Sequence, residues 1–202
     1  MSSYYPIFLN LQAKRCLVVG GGEIASRKVQ GLLEAGAVVM VVSPALTEAL
    51  LGLAQQGAIQ YAARPFQDDD VVGCALVVGA TNQPAVNDAI CKAARQRGIW
   101  VNIVDTPDAC DFIAPAIVRR GALQIAISTG GNSPTLAKRI RAQLEQIYGP
   151  EYAEFLAWLG EERERIRQQV VNPAARKARY EQLVDLAWGY AAQVREQPSA
   201  AR

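Results

Sequence analysis

Short apolar runs alternate with amphipathic stretches through the first half of the chain. A strand inside a parallel sheet is buried on both faces and reads as a continuous apolar run, whereas a helix repeats its apolar positions every three or four residues. These patterns predict strands at residues 16–19, 38–42, 59–62, 75–82 and 100–104, a helix that ends at Gly36, and helices at residues 46–56 and 84–97. We therefore expect an α/β fold in which helices cover the faces of a Rossmann-like parallel sheet.

The pattern changes near residues 111–113. Two β-like runs predict a hairpin joined by a short basic turn; the runs span residues 112–118 and 122–128, and the turn is Arg119, Arg120 and Gly121. Helices are predicted beyond the hairpin at residues 135–148, 151–171 and 174–197. A hairpin alone is only marginally stable, so helices of the same chain or a second subunit must cover it. Dimerisation is our preferred interpretation.

We divide the chain on this basis into three parts. They are a Rossmann-like NAD-binding domain, a small α+β dimerisation segment of hairpin and helix, and a helical C-terminal domain, at residues 1–112, 113–148 and 149–202. Ahead of the first glycine turn, residues 4–9 are predicted to form an apolar strand or arm.

The turn after the first predicted strand carries the candidate cofactor site. Residues 20–25 fit the pattern G-x-G-x-x-A, in which Gly20 makes the turn, Gly22 lets backbone approach a pyrophosphate, and Ala25 lets helix pack on strand. The amino terminus of the helix presents N–H groups and a positive dipole end to the phosphates. The alternative, a glycine turn that binds nothing, is disfavoured by the complete β–α–β unit that follows.

The end of the second predicted strand bears on the choice of dinucleotide. An acidic residue is usual there to bind the ribose hydroxyls, and this chain has Ser43 followed by Pro44. No lysine or arginine stands at that strand end for a 2′-phosphate, so we expect NAD as the cofactor.

Polar residues also stand at the ends of the fourth and fifth predicted strands. The carboxyl ends of parallel strands meet at one edge of the sheet, where ligands bind. Ala80, Thr81 and Asn82 are therefore candidate cofactor contacts. Asp105, after the fifth strand, is a candidate base or proton relay. The alternative for Asp105 is an Asx-turn ahead of Pro107.

A second candidate binding region is the glycine-rich turn at residues 128–133. Ser133 and Pro134 are typical of a helix start, and the preceding glycines are expected to leave N–H groups free for an anion such as a carboxylate. Five cations and one acid lie between residues 119 and 145: Arg119, Arg120, Lys138, Arg139, Arg141 and Glu145. A solvated helix face is the alternative to a pocket for a substrate with many carboxylates.

Composition narrows the class of protein. A net charge of +2 is too mild to indicate a nucleic-acid or membrane surface, and the sequence shows neither an 18-residue apolar span nor a signal peptide, so we expect a cytoplasmic protein. Histidine is absent and the four cysteines are widely spaced, which predicts reduced thiols and no metal site. The aspartates at residues 68–70 are expected to cap a short helix and face water instead of binding a metal.

Several segments together resemble the precorrin-2 dehydrogenase and ferrochelatase family, whose module also forms the amino-terminal part of bifunctional siroheme synthases. The resemblance covers the chain to about Tyr148, and the helical end more loosely. The segments that carry it are residues 6–9 (PIFL), 18–22 (VVGGG), 27–28 (RK), 80–82 (ATN), 102–105 (NIVD), 112–116 (FIAPA) and 128–134 (STGGNSP).

The resemblance implies NAD-dependent oxidation of precorrin-2 to sirohydrochlorin by a homodimer joined through the hairpin segment. Insertion of Fe²⁺ or Co²⁺ is left open as a second activity. The family match implies cofactor contacts at Gly22, Glu23, Ile24, Ser43, Pro44 and Thr81, and Asp105 as the acid used in both reactions. Gly20 is added to the cofactor contacts from the glycine fingerprint. Because the tetrapyrrole carries eight carboxylates, substrate contacts are expected at Asn102, Arg119, Arg120, Ser128, Thr129, Asn132, Ser133 and Lys138.

Two other functions fit the first half of the chain. A non-catalytic NAD-binding regulatory domain of an ion-transport system has a similar glycine turn, but it normally keeps the acid that Ser43 replaces. A dehydrogenase of a smaller acid would not bind a tetrapyrrole. Neither function accounts for the basic hairpin and the glycine-rich turn of the second half.

Overall fold

Five parallel strands form the sheet of the first structural unit. They are β1 (Arg15–Val19), β2 (Val38–Val42), β3 (Gln60–Ala62), β4 (Leu76–Gly79) and β5 (Trp100–Ile103), in the spatial order β3-β2-β1-β4-β5. The connections contain helices α1 (Glu23–Glu34), α2 (Glu48–Gln55) and α3 (Pro84–Gln96), and a short 3₁₀ helix at Asp68–Val71. The computed structural model describes residues 4–196 and confirms the predicted α/β, Rossmann-like class.

The order of the strands reverses at β1, because the chain first builds β2 and β3 on one side and then β4 and β5 on the other. The register brings the carboxyl ends level: Val19 pairs with both Val42 and Gly79, and Gly79 pairs with Ile103. In open parallel sheets a ligand binds above the carboxyl ends at such a reversal. The topology therefore identifies one edge of the sheet as the candidate site.

Helices bury both faces of the sheet, since successive strand residues point to opposite sides. On one face Val18 and Val78 pack in a cluster with Val29 of α1, and on the other Val77 packs in a cluster with Ile90 of α3. These five side chains are at most 3% exposed, and burial of each contributes about 1.5–3 kcal/mol. The core thus holds α1 firmly behind the turn from which it starts.

The second unit begins with an antiparallel hairpin. Its strands are β6 (Ala116–Arg120) and β7 (Leu123–Ile127), and helices α4 (Pro134–Ile147), α5 (Tyr152–Gln169) and α6 (Pro173–Glu196) follow. Tyr152 is buried at the start of α5, where its ring makes edge contacts with Tyr148 and Phe155. Across residues 4–196, no helix combines the length and the apolar character that a membrane crossing requires.

Two compact units divide the chain, Met1–Ala114 and Pro115–Arg202. The finer three-part division at residues 112 and 148 stays a prediction. The predicted end of the last helix at Gln197 lies outside the described residues.

The hairpin turn differs from its prediction. Arg120 pairs with Leu123, so the two arginines belong to β6 and the turn consists of Gly121 and Ala122. Gly121 has φ +56° at the first central position, where type II′ turns take glycine. A two-residue turn of this kind matches the twist of the strands, so Arg119 and Arg120 lie in β6 and pair with residues of β7.

The first hairpin strand also starts later than predicted, at Ala116. The residues before it are held by the first sheet instead: the Asp111 amide donates to the Val101 carbonyl, and the Asn102 side chain donates to the Phe112 carbonyl. The Phe112 carbonyl, which the longer hairpin would have contained, thus accepts a hydrogen bond from the first sheet.

Residues 4–9 are expected to form a strand or an arm, and the structure decides between the two. They form no strand, and Tyr5 and Phe8 are exposed, so this segment is an arm. One other expectation is corrected. The short helix at Asp68–Val71 is confirmed, but Asp70 does not face water. Its carboxylate turns back to accept from the Gln67 amide at the start of the short helix, and there it is buried in an ion pair with Arg64.

Candidate functional site

Glycine residues after β1 press against neighbouring strand ends. Gly20 has φ +124°, and a Cβ atom added to it would lie 2.3 Å from the Ala80 carbonyl oxygen. A Cβ atom added to Gly21 would lie 1.9 Å from the Ala45 carbonyl oxygen. Both obstacles are backbone atoms, which cannot swing aside as a flexible side chain can, so neither position accepts a side chain.

Gly22 borders open space instead. Apart from Gly22 itself and its two chain neighbours, no described atom lies within 4 Å of a Cβ atom added there, and within residues 4–196 no side chain caps the helix that begins after it. The predicted contacts Glu23 and Ile24 are the first two residues of α1, and both are exposed. Helix-start amides and the positive dipole end favour an anion in this space. We call this space, beside Gly22 and the start of α1, the cradle. It fits the pyrophosphate of a dinucleotide.

Ser43 is buried at the end of β2. Its hydroxyl donates to the Ala45 carbonyl at 2.7 Å, and its own carbonyl accepts from the Tyr61 hydroxyl at 3.1 Å. Pro44 beside it is exposed. The Ser43 side chain is thus engaged inside the turn, and its contact with a ribose stays a prediction, as does that of Pro44.

Thr81 is half-buried just after β4. Its hydroxyl oxygen accepts from the Gln83 amide at 2.9 Å, and its carbonyl accepts from Asn87 Nδ2 at 3.2 Å. Asn87 Oδ1 is buried and finds no partner among residues 4–196, and the same is true of the Thr47 hydroxyl oxygen. The Thr47 amide donates to the Gly21 carbonyl, which places that residue beside the glycine turn.

Unpaired buried acceptors are costly, so Thr47 and Asn87 are additional candidates for contact with a bound cofactor. Sequence analysis missed both. Thr47 reads as an ordinary helix N-cap and Asn87 as a polar position of an amphipathic helix, so the sequence carried no signal that could have identified them.

Asp105 lies exposed in the turn that follows β5. The turn is closed by a 3.3 Å hydrogen bond from the Thr106 amide to the Ile103 carbonyl, and Asp105 sits at its third position with φ +59°. Turns with a positive φ there favour glycine or asparagine, and the left-handed conformation costs another residue about 1–2 kcal/mol. The Asp105 carboxylate accepts no hydrogen bond within residues 4–196, so the Asx-turn alternative is wrong.

Lys28 of α1 adds a positive charge near this carboxylate. Burial lowers the pKa of Lys28 below its usual value, while the negative charge of Asp105 acts in the opposite direction. The Cys110 thiol donates to the Ile103 carbonyl at 3.1 Å, and burial raises its pKa. The first helix thus places the positively charged side chain of Lys28 near Asp105 and Cys110.

Lys28 was not predicted as a site residue, although a signal for it exists. Ala25, Lys28 and Val29 lie three and four positions apart on one face of α1, and the two apolar members are fully buried. A lysine on the core-facing stripe of a helix is unusual, because its charge must find a partner or reach water.

Asn102 is only 7% exposed within β5. Its Nδ2 donates to the Phe112 carbonyl at 2.8 Å and to Cys110 Sγ at 3.3 Å. The amide therefore ties the segment after β5 to the sheet, and a contact of Asn102 with substrate stays a prediction.

In the second unit, hydroxyl groups organise the turn at residues 128–133. They accept from amides of the same loop and helix start: Ser128 from Gly130 (3.0 Å), Thr129 from Ser133 (3.0 Å) and Ser133 from Leu136 (3.2 Å), while Asn132 Nδ2 donates to the Thr129 carbonyl (3.0 Å). The expectation that the amides of this turn stay free for an anion is therefore wrong for those of Gly130 and Ser133. A hydroxyl that accepts keeps its own hydrogen, so these hydroxyl groups can still donate to a carboxylate.

The predicted cations of the second unit have different surroundings. Arg120 donates to the Tyr148 carbonyl at 2.8 Å and to the Glu145 carbonyl at 3.2 Å, which satisfies acceptors at the carboxyl end of α4. Arg119 is half-buried and Lys138 is exposed. Arg120 thus stabilises the end of α4, whereas Lys138 lies at the surface.

The structure gathers one group of predicted residues at the carboxyl edge of the sheet: Gly20, Gly22, Glu23, Ile24, Ser43, Pro44, Thr81 and Asp105. Asn102 lies within β5, and the remaining predicted residues belong to the second unit. In the part of the chain that the structure describes, no three His, Cys, Asp or Glu side chains form a group that could hold a metal ion.

Two family models match the chain. The model described as "Putative NAD(P)-binding" matches residues 7–116, and the model described as "Sirohaem biosynthesis protein central" matches residues 120–147. The first covers the sheet and its glycine turn, and the second covers most of the hairpin and α4.

Siroheme synthases of Methylococcus capsulatus and Nitrosomonas europaea are each 42% identical to the chain over 182 residues. The match covers 90% of this chain and 38% of each relative, so the chain spans well under half of the length of these curated relatives. A solved structure described as SirC, precorrin-2 dehydrogenase, is 29% identical with a TM-score of 0.78, and the match covers 96% of this chain and 99% of that one. These findings confirm the family resemblance inferred from the sequence.

Gly22→Ser tests the cradle, because it adds a side chain to open space without meeting the fold. Serine is a good N-cap residue, so we expect the free energy of unfolding to change by less than about 0.5 kcal/mol. The affinity for NAD should fall about tenfold or more, because the added atoms occupy the anion space. Calorimetric titration with NAD and denaturant unfolding measure the two effects.

Gly21→Ala is the matched control at the adjacent position. Its Cβ atom meets the Ala45 carbonyl, so we expect a loss of about 1–3 kcal/mol in the free energy of unfolding. Undiminished NAD binding by a folded Gly22→Ser protein would contradict the cradle.

Proposed function

We propose that the protein oxidises precorrin-2 to sirohydrochlorin with NAD as the hydride acceptor. The chain belongs to the NAD(P)-binding family whose model matches residues 7–116. The observation that carries this proposal is the likeness to SirC, described as a precorrin-2 dehydrogenase, at a TM-score of 0.78 and along 96% of the chain. The geometry is compatible, because an anion cradle and an exposed carboxylate lie at the same edge of the sheet. The pathway we infer is siroheme synthesis, and a cytoplasmic location stays a prediction.

The cofactor is held by the turn after β1 in this proposal. Gly20 and Gly22 supply backbone approach, the start of α1 supplies donors to the phosphates, and Thr81 has a hydroxyl hydrogen to donate. Glu23, Ile24, Ser43 and Pro44 complete the proposed contacts. We propose NAD over NADP because no cation follows β2 directly and Ser43 is small.

Asp105 is the proposed proton acceptor. Oxidation removes one hydride and one proton from the substrate, and the bound nicotinamide supplies the hydride acceptor. The Asp105 carboxylate is exposed and accepts no hydrogen bond within residues 4–196, so its lone pairs are available for the proton. Lys28 of α1 lies nearby and supplies a positive charge.

We propose that donors of the second unit recognise the carboxylates of the substrate. The hydroxyl groups of Ser128, Thr129 and Ser133 can donate, and Lys138 is an exposed cation. Four more residues stay in the proposed set with less support. Asn102, Arg120 and Asn132 already donate within the protein, and Arg119 is half-buried.

Fe²⁺ or Co²⁺ would be a substrate in a second activity. Asp105 would then accept protons from the pyrrole nitrogens as the ion enters. The chain contains no histidine to share this task, so we rank dehydrogenation ahead of metal insertion.

A homodimer is proposed from the hairpin. Within residues 4–196, β6 and β7 pair only with each other, which leaves an open edge on each strand. Helices α4 and α5 contact the hairpin, yet Gln124 and Ala126 of β7 stay exposed. Open strand edges favour pairing with a second chain.

The proposed function is tested by an anaerobic assay with precorrin-2 and NAD. We expect NADH and metal-free sirohydrochlorin to appear together in equal amounts. Added Fe²⁺ should then change the product spectrum no faster than without enzyme if the protein is a dehydrogenase alone. Measurable NAD binding without NADH formation would contradict the proposal and favour a regulatory NAD-binding domain.

Substitutions of Asp105 should separate stability from turnover. Asp105→Asn keeps the size and tolerates positive φ, so its free energy of unfolding should stay within about 0.5 kcal/mol, while turnover falls about 10²-fold or more. Asp105→Gly should lose turnover equally but gain up to about 1 kcal/mol in the free energy of unfolding, because glycine relieves the left-handed conformation. Steady-state kinetics, NAD titration and denaturant unfolding measure these effects. Turnover at the level of the unsubstituted protein in Asp105→Asn would remove the carboxylate from the reaction.

Light scattering after size-exclusion chromatography tests the homodimer, since the chain has a mass of 21.8 kDa. We expect twice that mass, and a shift toward the monomer in Ala126→Glu, because the new charge lies on the exposed face of β7. Gln96→Glu on the exposed surface of α3 adds the same charge and should leave the mass unchanged. A monomeric unsubstituted protein would overturn the proposed dimer.

A further inference from the structure

Arg64 is the one cation between Lys28 and Lys92 in the sequence. That stretch builds β2, α2, β3 and β4, which includes the strand end where this kind of fold holds the ribose of a dinucleotide. Recognition of a 2′-phosphate needs a cation near that strand end. Arg64 is therefore the candidate that this part of the chain offers for NADP.

The backbone of Arg64 lies next to the end of β2. The Ala62 carbonyl accepts hydrogen bonds from two amides, that of Ser43 at 3.2 Å and that of Arg64 at 2.9 Å. The register agrees, because Val42 pairs with Ala62 and both strands run in the same direction. Position alone would make Arg64 a neighbour of a bound ribose.

The side chain of Arg64 is held by Asp70. Nη1 donates to Oδ2 at 2.9 Å and Nη2 donates to Oδ1 at 2.6 Å, in the two-bonded geometry that suits arginine and a carboxylate. Nη1 also donates to the Pro65 carbonyl at 3.0 Å. Both terminal nitrogens of the guanidinium are thus engaged.

Asp70 is a rigid holder. It is only 6% exposed, and Oδ2 also accepts from the Gln67 amide at 2.8 Å, so the carboxylate is fixed by the backbone of its own short helix. The hydrogen bonds from Arg64 lower the pKa of Asp70 below its usual value, so the carboxylate stays charged at neutral pH. Rotation of Arg64 toward a ligand would leave this buried charge without its partner, which is unfavourable.

Because the usual acid after β2 is missing, another residue has to discriminate between NAD and NADP. The usual acid after β2 both binds the ribose hydroxyls and repels a 2′-phosphate, and Ser43 in its place carries no charge. The Ser43 hydroxyl, moreover, donates to Ala45. Rejection of NADP then depends on whether the nearby cation is available.

We propose that Asp70 is a specificity-determining residue that sets the preference for NAD over NADP by holding the Arg64 guanidinium away from the 2′ position of the ribose. This inference rests on the proposed function, because it concerns the cofactor of that same site. Asp70 and Arg64 act on affinity and are not part of the chemical step.

Asp70→Asn tests the proposal in the 202-residue chain. The amide removes the charge that holds Arg64, so the ratio of the dissociation constants for NADP and NAD should fall about tenfold or more. Asp69→Asn is the matched control in the same short helix, because Asp69 is 89% exposed and pairs with Arg97 instead. It should leave the ratio unchanged. Calorimetric titration with each dinucleotide gives the ratio without any need for turnover.

Arg64→Gln/Asp70→Asn completes the test. This double variant replaces the ion pair by two neutral amides, so it should fold, lose the gain in NADP affinity and bind both dinucleotides as the unsubstituted protein does. If Asp70→Asn alone fails to fold, the double variant decides. Weaker NADP binding than in the unsubstituted protein would mean that Arg64 already serves the 2′-phosphate and would overturn the proposal.

The remaining outcomes are distinct. An unchanged ratio in a folded Asp70→Asn protein overturns this inference and leaves the proposed function intact, since NAD still binds. A preference for NADP in the unsubstituted protein also overturns it. Failure of that protein to bind either dinucleotide overturns the proposed function and the inference together.

Discussion

Main-chain atoms of neighbouring strand ends touch at the turn after β1, and the candidate site depends on this close approach. The Gly20 amide donates to the Val42 carbonyl at 2.9 Å, which joins the end of β1 to the end of β2. Gly21 lies so close to the next turn that no side chain fits. The contacts fix where α1 starts, and the start of α1 at Gly22 is where an anion is favoured. The phosphate cradle is thus a consequence of how three strand ends meet.

Charge placement around this edge follows a second constraint, namely that a buried or half-buried charge needs a partner. Arg64 satisfies it through Asp70. Lys28 is half-buried and lies near Asp105, whose negative charge opposes the lowering of the Lys28 pKa by burial. One cation is thereby held within the protein and the other is kept near an exposed carboxylate. The two cations therefore have different surroundings: Arg64 is bound by a buried carboxylate, and Lys28 lies near an exposed one.

The turn after β5 combines order with strain. The buried amide of Asn102 and the Cys110 thiol hold the segment that follows, while Asp105 adopts a left-handed conformation that glycine would adopt more easily. Backbone strain of this kind persists only where the surroundings enforce it. The Asp105 carboxylate is exposed and accepts no hydrogen bond within residues 4–196, as the proposed proton transfer requires.

The sequence by itself determined the sheet, its helices, the glycine turn and the family, because buried strands, amphipathic helices and turn glycines each have a local pattern. It also located Asp105, since strand order brings carboxyl ends to one edge. Only the tertiary structure decided why Gly21, at the variable position of the fingerprint, must be glycine, and why Arg64 is not free to bind a phosphate. Both depend on contacts with residues distant along the chain, Ala45 and Asp70, and no local pattern encodes such contacts.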